Sequence, residues 1–154
     1  MSKDTRIATF KDFVGELTAT YKRTKTPTVK VRSSIDIVNF VRPYFEECMD
    51  DHEELKIVHF NNNMNVVNLH EHTKGTDTAC LCDVKDVVRD AILIKTKAVV
   101  MVHNHPSGNL KPSQADKDLT NKLKTALAYF ELKLLDSVIV TREGYFSFAD
   151  EGLL

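Results

Sequence analysis

The stretch AVVMVHNHPSGNLKPSQAD covers residues 98–116. It opens with Ala98, Val99, Val100, Met101 and Val102, the most apolar run in the chain. Such a run reads as a central strand with both faces covered. Pro106 and Gly108 then break the strand and let the chain turn back. Ser113 is placed to cap a helix whose first turn carries Asp116. A buried strand, a sharp break and a capped helix predict an α/β architecture.

The flanks agree with that reading. Upstream, residues 55–60 (LKIVHF) read as a buried strand, and the asparagine-rich stretch 61–65 (NNNMN) as a turn. A partner strand starts at Val66, so a hairpin is expected, ended by Gly75-Thr76. A helix is expected from Asp83, with Val84, Val87, Val88, Ala91 and Ile92 on its apolar face. Downstream, the helix capped by Ser113 turns Leu119, Leu123, Ala126, Leu127 and Phe130 inward. Residues 132–141 read as a strand, Gly144 as a turn, and residues 145–148 as its returning partner. Ser33 or Ser34 can cap an earlier helix with Ile35, Val38, Val41 and Phe45 inward, which Pro43 kinks or shortens. Residues 1–32 read as a polar N-terminal extension. Ile7, Phe10, Phe13, Val14 and Leu17 give it a short helix, and Val29 and Val31 a short strand. The expectation is helices packed on one mixed sheet over residues 33–154.

Composition narrows the function classes. The chain has 154 residues and a formal net charge of −1, with 21 basic and 22 acidic side chains. A nucleic-acid-binding domain usually carries a basic excess, so global charge does not support one. A local exception is Lys22, Arg23, Lys25, Lys30 and Arg32, which leave nucleic acid or an acidic partner open against a solvated arm. No apolar stretch reaches the roughly 18 residues of a membrane span, and the N-terminus lacks a signal-peptide pattern. Three cysteines, Cys48, Cys80 and Cys82, do not make a disulfide framework, so a reducing cytoplasm is expected.

His103 and His105 stand two apart on the strand and so share one face, while Asn104 points the other way. The two imidazoles can converge on one ion, and a first-turn Asp116 can point back at them. Two histidines and a carboxylate are a set that zinc accepts, with a fourth position for water. Such an ion lowers the pKa of bound water to roughly 7. The competing reading is a polar strand end followed by a plain turn, with Ser113 serving only as an N-cap.

The spacing His103-x-His105, seven residues, Ser113, two residues, Asp116 resembles the JAMM signature of the JAB/MPN zinc isopeptidases. The longer run His103-Asn104-His105-Pro106-Ser107-Gly108, followed by Pro112-Ser113, resembles the RadC branch of that family. Gly75-Thr76, Leu134-Leu135-Asp136 and Gly144-Tyr145-Phe146-Ser147-Phe148 resemble further RadC-like segments. The resemblance implies a cytidine-deaminase-like α-β-α sandwich with a mixed central sheet. It implies one Zn²⁺ held by His103, His105 and Asp116, and an upstream glutamate acting as general base. RadC-like chains place that glutamate at Glu53; other JAMM enzymes would place it at Glu54. On a strand the two face opposite ways, so one alone can reach the metal. The implied activity is glutamate-assisted attack of metal-bound water on an amide or isopeptide bond of a peptide substrate. Ser113 is implied as a hydrogen-bond donor to the oxyanion.

The sequence also departs from the family pattern. Asp83-Val84-Lys85-Asp86 stands where RadC-like chains commonly have Pro-Arg-Glu, and Ser137 replaces a histidine after Leu-Leu-Asp. No tandem helix-hairpin-helix segment is recognisable in residues 1–32, so a DNA-repair role does not follow from the resemblance. An accessory role in DNA repair or mobile-element biology, with zinc structural or activity lost, stays as the alternative. A nucleobase hydrolase ranks last, because the deaminase His-x-Glu and Pro-Cys-x-x-Cys signature is absent. His70-Glu71-His72, without a suitably spaced carboxylate, reads as a solvated strand end. Cys80 and Cys82 read as packing residues near a helix start. Edge strands leave a homodimer as an expectation.

Overall fold

In a computed structural model that describes residues 12, 14–74 and 82–154, five strands form one mixed sheet. The strands are β1 (Glu54–Phe60), β2 (Val66–Lys74), β3 (Ala98–Asn104), β4 (Lys133–Val140) and β5 (Tyr145–Ser147). Their order across the sheet is β2-β1-β3-β4-β5. Only the β3–β4 pair is parallel. It is joined by a crossover through helix α3 (Gln114–Ala128), as a parallel pair requires. Every residue of β1 and β3 is buried, as the apolar runs predict.

Helices cover both faces. Helix α1 (Ser34–Val41) and the 3-10 turn Arg42–Phe45 pack with Val58, Phe60, Val100, Val102, Val138 and Val140. Helix α2 (Val84–Ile94) and α3 pack on the other face with Leu55, Ile57, Val99, Met101 and Leu134. The two sets alternate along β1 and β3, and in β4 a register shift at Leu135 separates Leu134 of one set from Val138 and Val140 of the other, so one sheet divides two cores. This is the expected α-β-α sandwich.

Local detail differs from the sequence reading in four places. In α1 the inward set is Ile37, Val38 and Val41, and Ile35 is exposed. The helix starts at Ser34, one residue before the expected start, and Pro43 opens a 3-10 turn that carries Phe45 into the core. Ile92 is exposed on α2, and Phe130 is exposed because α3 has already ended, which leaves it in the turn after the Tyr129 cap. In the β1–β2 turn, Asn61 Oδ1 accepts the N–H groups of Asn63 and Asn65, each at 3.0 Å. The left-handed residue there is Met64, at φ 61°, not an asparagine.

The N-terminal expectations fare differently. Ile7, Phe10 and Phe13 lie outside the described residues, as do Gly75 and Thr76. Val14 and Leu17 are exposed and not helical. The short strand reduces to one bridge, Lys30 with Asn65. Around it, Val66 N–H donates to Val29 O and Val31 N–H to Met64 O, both at 2.9 Å, so this segment covers the start of the β2 edge. Among the described residues no helix is long and apolar enough to cross a membrane.

Candidate metal centre

His103 stands near the end of β3, flanked by Leu55 of β1 and Ile139 of β4. His105 lies just beyond the strand, and its N–H donates to Val140 O at 3.1 Å. Central placement between two neighbours therefore fixes the backbone of both histidines. Pro106 and Gly108 turn the chain away, with Gly108 at φ 80° and its N–H on His105 O at 3.0 Å.

The returning chain starts α3 with a capping box. Ser113 Oγ accepts the Asp116 N–H at 3.0 Å, and Asp116 Oδ2 accepts the Ser113 N–H at 2.8 Å. That double bond locks the Asp116 side chain back over the helix start, towards the strand end. Its Oδ1 lies 3.2 Å from His103 Nε2 and its Oδ2 3.3 Å from His105 Nε2. The two Nε2 atoms are 3.1 Å apart. Glu53, immediately before β1, places Oε1 3.8 Å from His103 Nε2. The side chain of His103 is 3% exposed, and those of Glu53 and Asp116 14% each, so the group is drawn in from solvent yet reachable.

The donor set suits a zinc ion. Tetrahedral ligands at Zn–N and Zn–O distances near 2.1 Å are separated by about 3.4 Å, close to the spacings here. The tautomer also fits. His105 Nδ1 lies 2.6 Å from Asn109 O, and a carbonyl only accepts, so Nδ1 carries the proton and Nε2 faces the cluster with its lone pair. His105 and two carboxylates thus turn electron pairs towards a point that His103 Nε2 also faces, an arrangement a divalent cation would satisfy. Burial alone would raise Asp116, but the imidazoles of His103 and His105 against it hold its carboxyl well below the usual range. Burial would lower His105, but Asp116 and the Asn109 carbonyl outweigh it and raise it.

Glu53 and Glu54 face opposite ways. Glu54 is buried on the α1 side, with Oε1 2.8 Å from His52 Nε2 and Oε2 paired with Lys56. Burial pushes its carboxyl up, yet the hydrogen bonds from Lys56 and His52 win and hold it below the ordinary value. The cluster around His103 contains Glu53, not Glu54.

Asn104, between the two histidines, does more than its spacing suggested. It is fully buried on the opposite face. Its Nδ2 lies 2.9–3.2 Å from the carbonyls of Cys48, Met49 and His52, and its Oδ1 accepts the Glu54 N–H at 2.8 Å. One side chain thus fastens the segment that presents Glu53 to the strand that presents the histidines. Asp136 plays a similar part at the far end, accepting from Ser137 N–H, Ser147 Oγ and Ala149 N–H. That ties the Leu-Leu-Asp segment to the closing Gly-Tyr-Phe-Ser-Phe segment. Ser137 itself is buried and accepts from Thr120 Oγ1 of α3 at 3.1 Å.

The remaining sequence candidates are placed as follows. Cys82 packs against the α2–α3 core, as expected, and Cys80 lies outside the described residues. His70-Glu71-His72 is not a solvated strand end: the side chain of His72 is 4% exposed and faces Asp90 of α2. Asp90 was invisible to spacing because it arrives from a different element.

A family model of the RadC-like JAB domain matches residues 31–153. A UPF0758 protein of Flavobacterium johnsoniae is 37% identical over 124 residues, covering 80% of this chain and 53% of that protein. A UPF0758 protein of Thermotoga maritima is 37% identical over 125 residues, covering 81% and 55%. One of Pelodictyon phaeoclathratiforme is 33% identical over 125 residues, covering 81% and 55%. The chain spans about half the length of these curated relatives. With the sandwich fold and the His-x-His strand end in place, the match over most of its length shows that the chain belongs to the RadC-like JAB domain family.

Proposed function

We propose that this domain is a zinc-dependent hydrolase of amide or isopeptide bonds, with His103, His105 and Asp116 as the metal ligands and Glu53 as general base. The observation that carries the reading is the convergence of four donor atoms from Glu53, His103, His105 and Asp116 within a few ångströms. A zinc ion in such a site supplies a Lewis acid and brings the pKa of water to roughly 7. Glu53, nearest the cluster and outside the ligand triad, takes a proton from the attacking water and returns it to the leaving nitrogen. Asn104 positions Glu53 through the backbone at Glu54. The Ser113 hydroxyl accepts from Asp116 N–H and keeps its own proton to donate, so it can serve an oxyanion while capping α3.

The test is zinc analysis together with turnover of peptide, isopeptide and nucleic-acid substrates. The parent is expected to hold zinc in this site and to cleave an isopeptide or peptide bond. His103→Ala and Asp116→Ala lose that zinc, and Glu53→Gln keeps it but loses about 100-fold or more in turnover. Zinc content unchanged in both ligand variants would sink the reading.

A second reading, nucleic-acid contact in an accessory role, is supported by the exposure of Lys22, Arg23, Lys25, Lys30 and Arg32 on one segment. Salt-dependent DNA binding that vanishes when these five are neutralised would favour it. No binding at low salt would exclude it.

A further inference from the structure

We propose that His70, His72 and Asp90 form a second divalent-metal site, of zinc-type coordination, that staples strand β2 to helix α2. The three side chains offer ligand atoms that all lie within 4.8 Å of one another. Asp90 Oδ2 is 3.6 Å from His70 Nε2 and 3.5 Å from His72 Nε2. The two imidazole rings stand 4.7 Å apart, edge to face. Two nitrogens and one oxygen converge on one point, and a tetrahedral ion held by three such ligands takes a water as its fourth.

The buried polar atoms between β2 and α2 point to a ligand there. His72 is more than nine-tenths buried, at 4% side-chain exposure, and its Nε2 has no hydrogen-bond partner among the described residues. Asp90 Oδ2, directly opposite, is also buried without one. A buried polar atom left without a hydrogen bond costs about 1–3 kcal/mol, and at 3.5 Å these two are too far apart to satisfy each other well. The other carboxylate oxygen is accounted for: Asp90 Oδ1 accepts Arg89 Nε at 3.0 Å. This bond orients the carboxylate so that Oδ2 faces the imidazoles, as outer partners do around metal ligands.

The backbone is built for the pair. In the β1–β2 ladder Leu55 pairs with Thr73 and Lys56 with Glu71, so His72 is the extra residue of a bulge. Alternation already puts His70 and His72 on one face, the one that α2 covers, and the bulge leaves His72 opposite no residue of β1.

The site is distinct from the first. It uses β2 and α2, whereas the first uses the start of β1, the end of β3 and the start of α3. Leu55 pairs with Thr73 on one side and His103 on the other, so β1 separates the two clusters.

The experiment uses the full chain carrying His103→Ala and Asp116→Asn, stripped of metal and titrated with Zn²⁺ and with Co²⁺. About one equivalent should bind. The cobalt form should show the visible absorption of a tetrahedral nitrogen–oxygen site without a thiolate charge-transfer band. Adding His70→Ala, at a side chain 35% exposed and so tolerant of change, should weaken binding by more than about 100-fold. Asp90→Asn should do the same while circular dichroism stays unchanged. In the chain with the first site intact, either substitution should lower the zinc total by one equivalent, whatever that total is. The result therefore reads independently of the first site. Zinc binding indifferent to both substitutions, or no stoichiometric binding in a folded first-site variant, would overturn the proposal.

Discussion

Asn104 Oδ1 accepts the backbone N–H of Glu54 at 2.8 Å, which joins β3 to the residue following the proposed base. Asn104→Ala strips partners from that N–H and from three carbonyls at residues 48, 49 and 52. Stability should fall by about 2–3 kcal/mol in urea unfolding. Turnover should fall further than zinc affinity, because the ligand triad stays on β3 and α3 while Glu53 is released. Equal losses in both would show that Asn104 acts only on the fold.

Glu54→Ala should behave unlike Glu53→Gln. Glu54 shields the buried Lys56 ammonium, whose next carboxylate, Glu71, is 3.9 Å away. Removing one partner of a buried pair costs about 3–5 kcal/mol. Denaturant titration of the folded variant should show that loss, with zinc stoichiometry unchanged.

Ser113→Ala removes the capping box and should cost about 1 kcal/mol, or roughly 3 °C in midpoint by calorimetry. Ser113→Thr keeps a capping hydroxyl and should restore the midpoint. If the hydroxyl also serves the reaction, Ser113→Ala lowers kcat and Ser113→Thr recovers it. A variant that loses only stability would confine Ser113 to the cap.

Stability should decline in mild acid through His59. Burial, with like charge from His72 and His70 adding to it, pushes the fully buried His59 down from 6.5 to about 3. The unfolded chain therefore binds the extra proton between those values. Stability is whole above pH 6.5 and is lost as pH falls towards 3. Between pH 7 and pH 5 this amounts to about 2 kcal/mol for one proton. His59→Gln should shrink the difference between urea midpoints at those pH values in chelator-treated protein. An unchanged difference would assign the acid sensitivity elsewhere.

Much of the architecture was legible because its signals are local. The apolar run at residues 98–102, the break at Pro106 and the cap at Ser113 each announce themselves over a few residues. The same is true of the triad, whose members are related by strand alternation and one helix start. What pairs across elements was not legible. Asp90 reaches His70 and His72 only because α2 lies on the bulged end of β2. That Glu53 and Glu54 face opposite ways follows from alternation, but which of them lies with His103 depends on how β1 seats against β3, and it is Glu53. Ile35, Ile92 and Phe130 carry the right spacing for burial yet are exposed, Phe130 because α3 has already ended.

The spacing along the chain also bears on the timing of assembly. His103, His105 and Asp116 lie within one short segment, whereas Glu53 is about fifty residues earlier and is delivered through Asn104. Closing the short loop costs less entropy than closing the long one. A chain still folding can thus gather the three ligands before β1 has seated. On the proposed function, such a chain would hold its ion while lacking the group that moves the proton, and would stay chemically silent until β1 docks.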